Sequence, residues 1–373
     1  MFVAFVPTGL ISVLLGPLLP TLSARWSLDD VHAGYLITAQ FLGSLLGTLA
    51  SGPLVARLRF RAVMVIGLGM MGIGAATLMS SSYAWGAASV FCYGIGTGLT
   101  VPTTNLLVAR TAGARSASAL NILNFFWVAG AVACPFLLAA FQSNGRLPWF
   151  LFAIAGCFGL AVIGLLALPL DLPELERPAA SAREQSLARA LFVPMAFVLG
   201  ALFFLYVGTE NAFGAWLATY AKRTIAVRET AWVTVPSYFY GALLLGRLLA
   251  PFTLRRMSDG TQARWGATLA TVGATALLMS HSLWGIIVSA LVIGLGLSTL
   301  YPIAIGYLSS SFGAAAPQVA SVLFALSTLG AAFLPWLVGF VSTQTGSLRT
   351  ALLLPFGGCL AVLGLFATRR FRS

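Results

Sequence analysis

The chain has 373 residues, of which 59% are hydrophobic and 8% are charged. Because soluble globular chains carry about 25% charged residues, this composition excludes a soluble globular protein. The net charge of +12 is too dilute along an apolar chain to form a basic face, which excludes a nucleic-acid-binding protein.

Long apolar runs follow one another along the whole sequence. A membrane-spanning helix needs about 20 mainly apolar residues, whereas a strand of a membrane barrel needs about 10 in alternation. The runs are of the first kind and predict twelve transmembrane helices, called spans one to twelve below. They are residues 2–22, 31–56, 61–81, 84–110, 116–141, 146–170, 190–220, 230–254, 263–281, 283–312, 317–343 and 347–368. The predicted fold class is therefore an all-α integral membrane protein.

Basic residues fall mainly on one side of these spans. With a cytoplasmic N-terminus, fourteen of the 21 basic residues lie on the inner face, six lie on the outer face and Arg247 lies within a span. Because Lys and Arg collect in cytoplasmic loops, this bias predicts a multi-pass protein of the cell inner membrane with both termini in the cytoplasm. The first apolar run has no preceding basic residue and no convincing cleavage pattern, so we interpret it as a retained helix.

The longest predicted loop divides the spans six and six. Residues 171–189 hold four of the nine acidic residues, which is typical of a cytoplasmic linker. The sequence therefore predicts an N-terminal six-helix bundle over residues 1–170 and a C-terminal six-helix bundle over residues 190–373.

The two predicted bundles share an internal repeat. A shift of 200 residues matches glycines and prolines of the two halves: Gly94 with Gly294, Gly96 with Gly296, Pro102 with Pro302, Gly130 with Gly330 and Pro135 with Pro335. Because six helices separate the halves, both have the same topology and are related by a pseudo-twofold axis along the membrane normal, as in two-lobed secondary transporters.

The loop after span two carries a recognisable motif. Residues 47–61 read G-T-L-A-S-G-P-L-V-A-R-L-R-F-R. They resemble the loop motif of the major facilitator superfamily, which runs G-x-L-x-x-G-x-L-x-D-R-x-G-R-R. Arg57 and Arg61 match the motif, whereas Ala56 stands at its Asp and Arg59 at its Gly. The resemblance implies two six-helix bundles and a gating or structural role for Arg57 and Arg61.

Within that superfamily the chain is most similar to the fucose and hexose proton symporters. The stretches that carry this similarity are Leu120 to Asn124, Gly130 to Pro135, Tyr206 to Trp216, Gly241 to Arg247, and Tyr301 with Pro302. Spans one and four contain neither Asp nor Glu, so the proton-coupling carboxylates of fucose symporters have no counterpart there.

This resemblance implies a secondary transporter that moves a small neutral polar solute, such as a hexose, by alternating access together with protons. A proton-driven efflux antiporter for drugs or sugars and an uncoupled facilitator are the alternatives. An enzyme is not expected, because His32 and His281 lie at the ends of predicted spans and no His, Asp or Lys lies deep in the membrane to complete a catalytic pair with Glu210.

Glu210 is the carboxylate placed deepest in a predicted span. It lies about ten residues, or roughly 15 Å, from the outer end of span seven. An ionised carboxylate at such depth costs about 2.5 to 3.5 kcal/mol, so we interpret Glu210 as functional. Proton coupling is the leading hypothesis, with direct substrate contact and a fixed interhelical bond as alternatives. Tyr206, one turn away, and Asn211 could hydrogen-bond the carboxyl group or a bound hydroxyl.

Arg247 lies within span eight. Its predicted depth differs from that of Glu210 by about 10 Å, which favours a structural or gating role over direct pairing with that carboxylate. Asn105 near the inner end of span four and the mid-span prolines Pro102 and Pro302 are expected to act in gating or structure.

Neutral polar residues form a second group of candidates. Amides and hydroxyls both donate and accept hydrogen bonds, which suits a solute that carries several hydroxyl groups. The predicted substrate contacts are Gln40, Thr100, Asn121, Asn124, Trp127, Tyr206, Asn211 and Tyr301. Ser and Thr in membrane helices often bond their own backbone, and Trp often serves packing, so a structural role remains open for Thr100 and Trp127.

No metal or cofactor is expected. His32 and His281 have no Cys or acidic partner at ligand spacing, and the Gly94-x-Gly96-x-Gly98 run lies inside a span, where it favours helix packing over phosphate binding. The expected partners are a small-molecule substrate, protons and the lipid bilayer, without nucleic acid, and we expect a monomer.

Overall fold

The structure is a computed structural model that describes residues 5–79, 82–167, 193–225, 230–254 and 257–368. Regular structure within these ranges is entirely helical. The predicted linker, residues 171–189, lies outside the described residues, so the division into bundles at that loop stays a prediction.

The helices follow the predicted spans. Those of the first half are α1 (Phe5–Val13), α2 (Leu15–Trp26), α3 (Asp30–Thr77), α4 (Tyr83–Ala112), α5 (Ser116–Ser143) and α6 (Leu147–Ala167). Those of the second half are α7 (Pro194–Thr224), α8 (Val235–Leu254), α9 (Asp259–Met279), α10 (Leu283–Leu297), α11 (Leu300–Phe312), α12 (Ala316–Thr345), α13 (Leu348–Ala351) and α14 (Leu353–Ala367). Short 3₁₀ turns cover Gly113–Arg115, Thr230–Thr234 and Gly313–Ala315.

Within the described ranges, eight helical segments are long and apolar enough to cross a membrane, and the pair α1 and α2, bent by 48°, makes a ninth. The 48 residues of α3 are interrupted at Arg59, where the backbone dihedrals are not helical, and the parts before and after Arg59 hold span two and span three. Each predicted span contains helix, and the all-α membrane fold is confirmed.

Prolines set the breaks within two spans. A proline removes the bond to the carbonyl four residues earlier. Pro17 therefore frees the carbonyl of Val13, where α1 ends, and Pro302 frees that of Ser298, between α10 and α11. Pro102, which the 200-residue shift pairs with Pro302, lies inside the unbroken α4.

Helix caps repeat between the halves. The Ser82 hydroxyl accepts from the Trp85 backbone N–H at 3.4 Å, and the Ser282 hydroxyl accepts from that of Gly285 at 3.1 Å. Such caps satisfy one of the free donors at a helix N-terminus. The starts of α4 and α10 are therefore built alike, 200 residues apart.

Close helix crossings repeat as well. A Cβ at Gly130 of α5 would overlap the Val6 carbonyl oxygen of α1, and one at Gly330 of α12 would overlap the Phe204 carbonyl oxygen of α7. Small residues let the backbones of two membrane helices come into contact. In lipid the hydrophobic effect does not drive helices together, so this close packing stabilises their association.

The glycine run of α4 serves the same purpose. Gly96 faces the carbonyl oxygen of Gly67 on α3, and Gly296 on α10 faces that of Gly266 on α9. This helix contact agrees with the packing interpretation of the run.

The described chain forms two compact units. Unit 1 comprises Met1–Leu28, Tyr35–Arg177 and Arg228–Ser237. Unit 2 comprises Asp29–Gly34, Pro178–Val227 and Tyr238–Ser373. Each unit therefore includes a short segment from the other half of the sequence.

Arg59 has an unusual backbone conformation. Its φ of 67° and ψ of 160° interrupt the helical dihedrals of α3. This region of backbone space is essentially restricted to glycine and costs other residues about 1 to 3 kcal/mol. Arg59 stands at the glycine position of the superfamily loop motif. Glycine adopts these dihedrals without strain, whereas the arginine of this chain is strained there.

We expect Arg59→Gly to raise the free energy of unfolding by about 1 kcal/mol because glycine relieves that strain. Thermal unfolding of the purified protein measures the effect. Arg59→Ala is the matched control, since it removes the same side chain but keeps a Cβ. Equal stability changes in the two variants would contradict a backbone origin.

Candidate functional site

Glu210 lies in a polar group within unit 2. Its side chain is 20% exposed. The hydroxyl of Tyr206, one turn earlier on α7, donates to Glu210 Oε2. Arg247 Nη2 of α8 lies 3.8 Å from the same oxygen, within the range of an ion pair. Glu210 therefore has one neutral donor and one cation as partners inside a membrane-spanning segment.

The ion pair corrects the expected separation of Glu210 and Arg247. The depth estimate placed each side chain at the level of its own Cα atom. An arginine side chain extends over several bonds, and here its guanidinium reaches the carboxylate. Tyr206 and Arg247 both contact Glu210 Oε2, so the three side chains form one connected set. We call Glu210, Tyr206, Arg247 and the neighbouring Tyr301 the Glu210 cluster.

The two tyrosine rings of this cluster pack with two phenylalanine rings. The ring centroids of Phe203 and Tyr301 are 5.5 Å apart, those of Tyr206 and Tyr301 are 5.9 Å apart, and those of Phe203 and Phe324 are 5.7 Å apart. Edge-on and tilted contacts at these distances are typical of aromatic packing. We call Phe203, Tyr206, Tyr301 and Phe324 the ring wall.

Sequence reasoning missed two members of the ring wall. Phe203 and Phe324 are among 26 phenylalanines in the chain, so residue type alone does not single them out. Two signals were present: Phe203 lies three residues before Tyr206 on α7, and Phe324 occupies the position that the 200-residue shift pairs with Asn124.

One donor of the Glu210 cluster is unsatisfied. Arg247 Nε is buried and has no hydrogen-bond partner among the described residues. Buried polar groups are nearly always paired, with water or a ligand where protein groups do not serve. The guanidinium of Arg247 therefore has capacity beyond its contact with Glu210.

Asn124 of α5 is exposed on a packed face of its helix. Ala131 and Leu138 follow it at spacings of seven and fourteen residues, which places them on the same face, and both are fully buried. Asn124 is nevertheless exposed, as is Asn121 one turn earlier. The N-terminal part of this α5 face is therefore exposed, whereas its C-terminal part is covered.

Gln40 has protein partners at both ends of its amide. Its Nε2 donates to the Ser12 carbonyl oxygen at 2.7 Å, and its Oε1 accepts from the Tyr93 hydroxyl at 3.1 Å. The side chain is 7% exposed. This network joins α1, α3 and α4, which favours a structural role for Gln40 over substrate contact.

Three other predicted contacts also lie in packed surroundings. Thr100 is 2% exposed and faces Gly67, and the Asn211 side chain donates to the Val207 carbonyl of its own helix at 2.8 Å. Trp127 packs against a buried apolar group that includes Leu123. These surroundings favour packing roles for Thr100, Asn211 and Trp127.

Three of the predicted gating residues, Arg57, Arg61 and Asn105, are spread along unit 1. Arg57 is exposed, whereas Arg61 donates to the Leu166 carbonyl oxygen at the end of α6. Asn105 Oδ1 is buried without a hydrogen-bond partner in the described part of the chain. The structure does not bring these residues together.

The helical fold is that of a multi-pass membrane protein, and the matches to known proteins make it a transporter and not an enzyme. The family model described as Major Facilitator Superfamily matches residues 1–279. The chain belongs to the major facilitator superfamily.

Relatives and solved structures agree with this assignment. The chain is 27% identical to the glucose/galactose transporter of Brucella abortus, over 93% of this chain and 87% of that protein. A variant of the nucleoside transporter NupG superimposes with a TM-score of 0.82 at 14% identity, covering 98% of this chain and 97% of NupG. A variant of the E. coli fucose:proton symporter FucP gives 0.66 at 19% identity, over 100% and 97% of the two chains. At these identities the structural likeness shows the fold alone.

We expect Tyr206→Phe to lower the free energy of unfolding by about 1 to 3 kcal/mol, because it leaves a buried carboxylate without its hydroxyl donor. Thermal unfolding in detergent measures the loss. Tyr220→Phe is the matched control on the same helix, since the Tyr220 hydroxyl donates to the neutral Leu277 carbonyl at 3.2 Å. If Tyr220→Phe lowered the free energy of unfolding as much as Tyr206→Phe or more, the result would contradict a stronger hydrogen bond from Tyr206 to a charged acceptor.

Proposed function

We propose that this protein moves a hexose-like sugar across the inner membrane by alternating access, in symport with a proton that binds Glu210. Both termini lie in the cytoplasm, and the protein acts as a monomer. The observation that supports this proposal most strongly is the Glu210 carboxylate inside α7, in contact with Tyr206 and Arg247 and bordered by the ring wall.

The proton has a defined place in this scheme. With Glu210 ionised, its charge is balanced by Arg247 at 3.8 Å. A proton on the carboxyl oxygen cancels that charge and releases the guanidinium from the ion pair. Arg247 is then free to donate to an acceptor on the solute. Protonation and solute binding favour the same state and are therefore linked.

The chemistry of the cluster suits a sugar. Tyr301 and Arg247 supply donors, the Tyr206 hydroxyl oxygen can accept a hydrogen bond while it donates to Glu210, and a sugar hydroxyl both donates and accepts. Aromatic rings pack against the apolar face of a sugar ring, which the ring wall could provide. The relative from Brucella abortus is named as a glucose/galactose transporter, which supports this substrate class.

The substrate contacts proposed here in unit 2 are Tyr206 and Tyr301, from the predicted set, together with Arg247. Asn121 and Asn124, which are exposed on α5 of unit 1, stay predicted contacts. We assign packing roles to Gln40, Thr100, Trp127 and Asn211. Arg247 joins the substrate and proton site, while Arg57, Arg61, Asn105, Pro102 and Pro302 keep their proposed gating or structural roles.

The ion pair also supports one competing function. If Arg247 balances Glu210 throughout the cycle, the carboxylate never needs a proton and the protein is an uncoupled facilitator. The two functions differ in whether a pH gradient drives accumulation.

We expect Glu210→Gln to abolish pH-driven sugar accumulation in proteoliposomes while retaining sugar exchange, because the amide cannot take up and release a proton. A pH difference of one unit supports about tenfold accumulation when one proton moves with each solute, so the wild-type ratio should fall to about 1 in the variant. Asp29→Asn, which removes an exposed carboxylate outside the cluster, is the control and should accumulate sugar as the wild type does.

Accumulation by Glu210→Gln equal to that of the wild type would contradict proton coupling through this residue. Sugar equilibration without accumulation in the wild type would instead establish the facilitator. Export of lipophilic cations without sugar uptake would establish the efflux antiporter.

A further inference from the structure

Unit 1 carries positive charge without acidic side chains of its own. Within the ranges of unit 1 that the structure describes, the charged residues are arginines, and neither Asp nor Glu occurs. The described carboxylates, Asp29, Asp30, Glu210 and Asp259, all belong to unit 2. The positive charge of unit 1 is therefore not balanced by a carboxylate within its described part.

Three of those four carboxylates have partners within unit 2. Asp29 contacts the His32 ring at 2.6 Å, which corrects the expectation that His32 has no acidic partner. Asp30 pairs with Arg223 at 2.6 Å, and Glu210 has the ion pair described above. These side chains are therefore already engaged at other places in the molecule.

Most arginines of unit 1 lie on one membrane face. The two parts of α3 meet at Arg59, and α4 ends at Ala112. Because each pair of spans returns the chain to the face from which it started, both breaks lie on the same face. The Arg110 guanidinium carbon lies 6.0 Å from the centroid of the Phe60 ring, which brings the two breaks together. We call the arginines at these breaks the arginine patch: Arg57, Arg59, Arg61, Arg110 and Arg115.

This patch lacks the acidic residue of the superfamily loop motif. Ala56 stands at the position of the motif's Asp, directly before Arg57. Arg57, Arg59, Arg110 and Arg115 are exposed. The patch therefore presents several guanidinium groups at the membrane surface without the carboxylate that the motif would place among them.

A groove between α3 and α6 begins near the patch and runs along the membrane-spanning part of both helices. A Cβ at Gly72 of α3 would lie 3.3 Å from the Phe158 Cβ of α6, so the helices pack together there. A Cβ at Gly69 or Gly159 would have no other atom of the described chain within 4 Å, apart from neighbouring backbone. We call the surface over Gly69, Gly72 and Gly159 the glycine groove.

The patch and the glycine groove are joined by Arg61. Its guanidinium donates to the Leu166 carbonyl oxygen near the C-terminus of α6, where a cation is favourable. Ile66 and Ile73 of α3 and the Leu166 side chain of α6 are exposed beside the groove. A positively charged head region thus lies at the end of an apolar channel on the same pair of helices.

We propose that unit 1 binds one anionic phospholipid as a specific ligand, with its phosphate on the arginine patch and an acyl chain in the glycine groove. Guanidinium groups bind phosphate oxygens through parallel N–H bonds, and arginines at a membrane surface attract anionic lipids. The open space over the glycines admits a chain that larger side chains would exclude. The site does not depend on which solute is carried or on proton coupling at Glu210.

The test measures lipid affinity of the purified, delipidated full chain by native mass spectrometry in detergent. Dioleoylphosphatidylglycerol and dioleoylphosphatidylcholine are the probes, because they share their acyl chains and differ in net charge. The soluble competitor is sn-glycerol 3-phosphate, which has a phosphate but no acyl chain.

We expect the wild type to bind one phosphatidylglycerol more tightly than phosphatidylcholine. Arg59→Gln with Arg110→Gln should weaken phosphatidylglycerol binding about 25-fold, because each arginine at a membrane surface contributes about fivefold. Phosphatidylcholine binding should change little. Arg146→Gln with Arg264→Gln removes the same charge outside the patch and is the matched control, which should bind phosphatidylglycerol as the wild type does.

The glycine groove has its own test. Gly69→Leu with Gly159→Leu fills the groove without a clash, so the affinity for both lipids should fall. Gly357→Leu with Gly364→Leu on α14 is the matched control, because a Cβ at either position also has open space, and it should leave both affinities unchanged. Thermal unfolding identifies any variant that has lost its fold, and the single substitutions then carry the test.

Unchanged phosphatidylglycerol affinity in the folded patch variant or in the folded groove variant would overturn the proposal. An equal loss in either control would also overturn it, since the effect would then depend on total charge or on any exposed glycine. Displacement of phosphatidylglycerol by an equal concentration of sn-glycerol 3-phosphate would show that the occupant is a soluble phosphate and not a lipid.

Discussion

Keeping the Glu210 carboxylate inside a membrane-spanning helix is the constraint on which the polar chemistry of unit 2 depends. Lipid offers no donor to a buried charge, so the protein must supply one. Tyr206 supplies a hydroxyl from the same helix, and Arg247 supplies a balancing cation from α8. Because the cation is itself buried in part, each of the two charges needs a compensating partner in the membrane.

The internal repeat supplies the frame for this site but not the site itself. The glycine contacts, the serine caps and the helix order recur at a spacing of about 200 residues. The functional groups do not recur, since Val6, Leu10 and Val101 stand where the shift places Tyr206, Glu210 and Tyr301. The two halves thus share their packing contacts, but only the second half carries Tyr206, Glu210 and Tyr301.

Much of the fold was accessible from the sequence, because long apolar runs report helices in lipid directly. Glu210 was accessible for the same reason, since a carboxylate inside such a run is rare. Its contact with Arg247 was not, because depth along a helix axis does not say how far a long side chain reaches. The packing roles that we propose for Gln40 and Thr100 could not be predicted, because a polar side chain in a span looks the same from the sequence whether it faces a neighbouring helix or an open space.

The contacts of Asp30 with Arg223 and Ser342 could not be predicted from local sequence patterns. Its partners lie 193 and 312 residues away along the chain. The sequence showed that Arg59 replaces the glycine of the loop motif. Only the backbone dihedrals show that this position favours glycine because of its positive φ.

A double-mutant cycle on the free energy of unfolding tests the dependence of Glu210 on Arg247 most directly. Glu210→Gln and Arg247→Gln should each be destabilising, the second by about 3 to 5 kcal/mol because it strands a buried carboxylate. The double variant should be more stable than Arg247→Gln alone, since no unpaired charge remains. Losses that simply add would show that the two side chains do not depend on each other and would contradict a charge-balanced site.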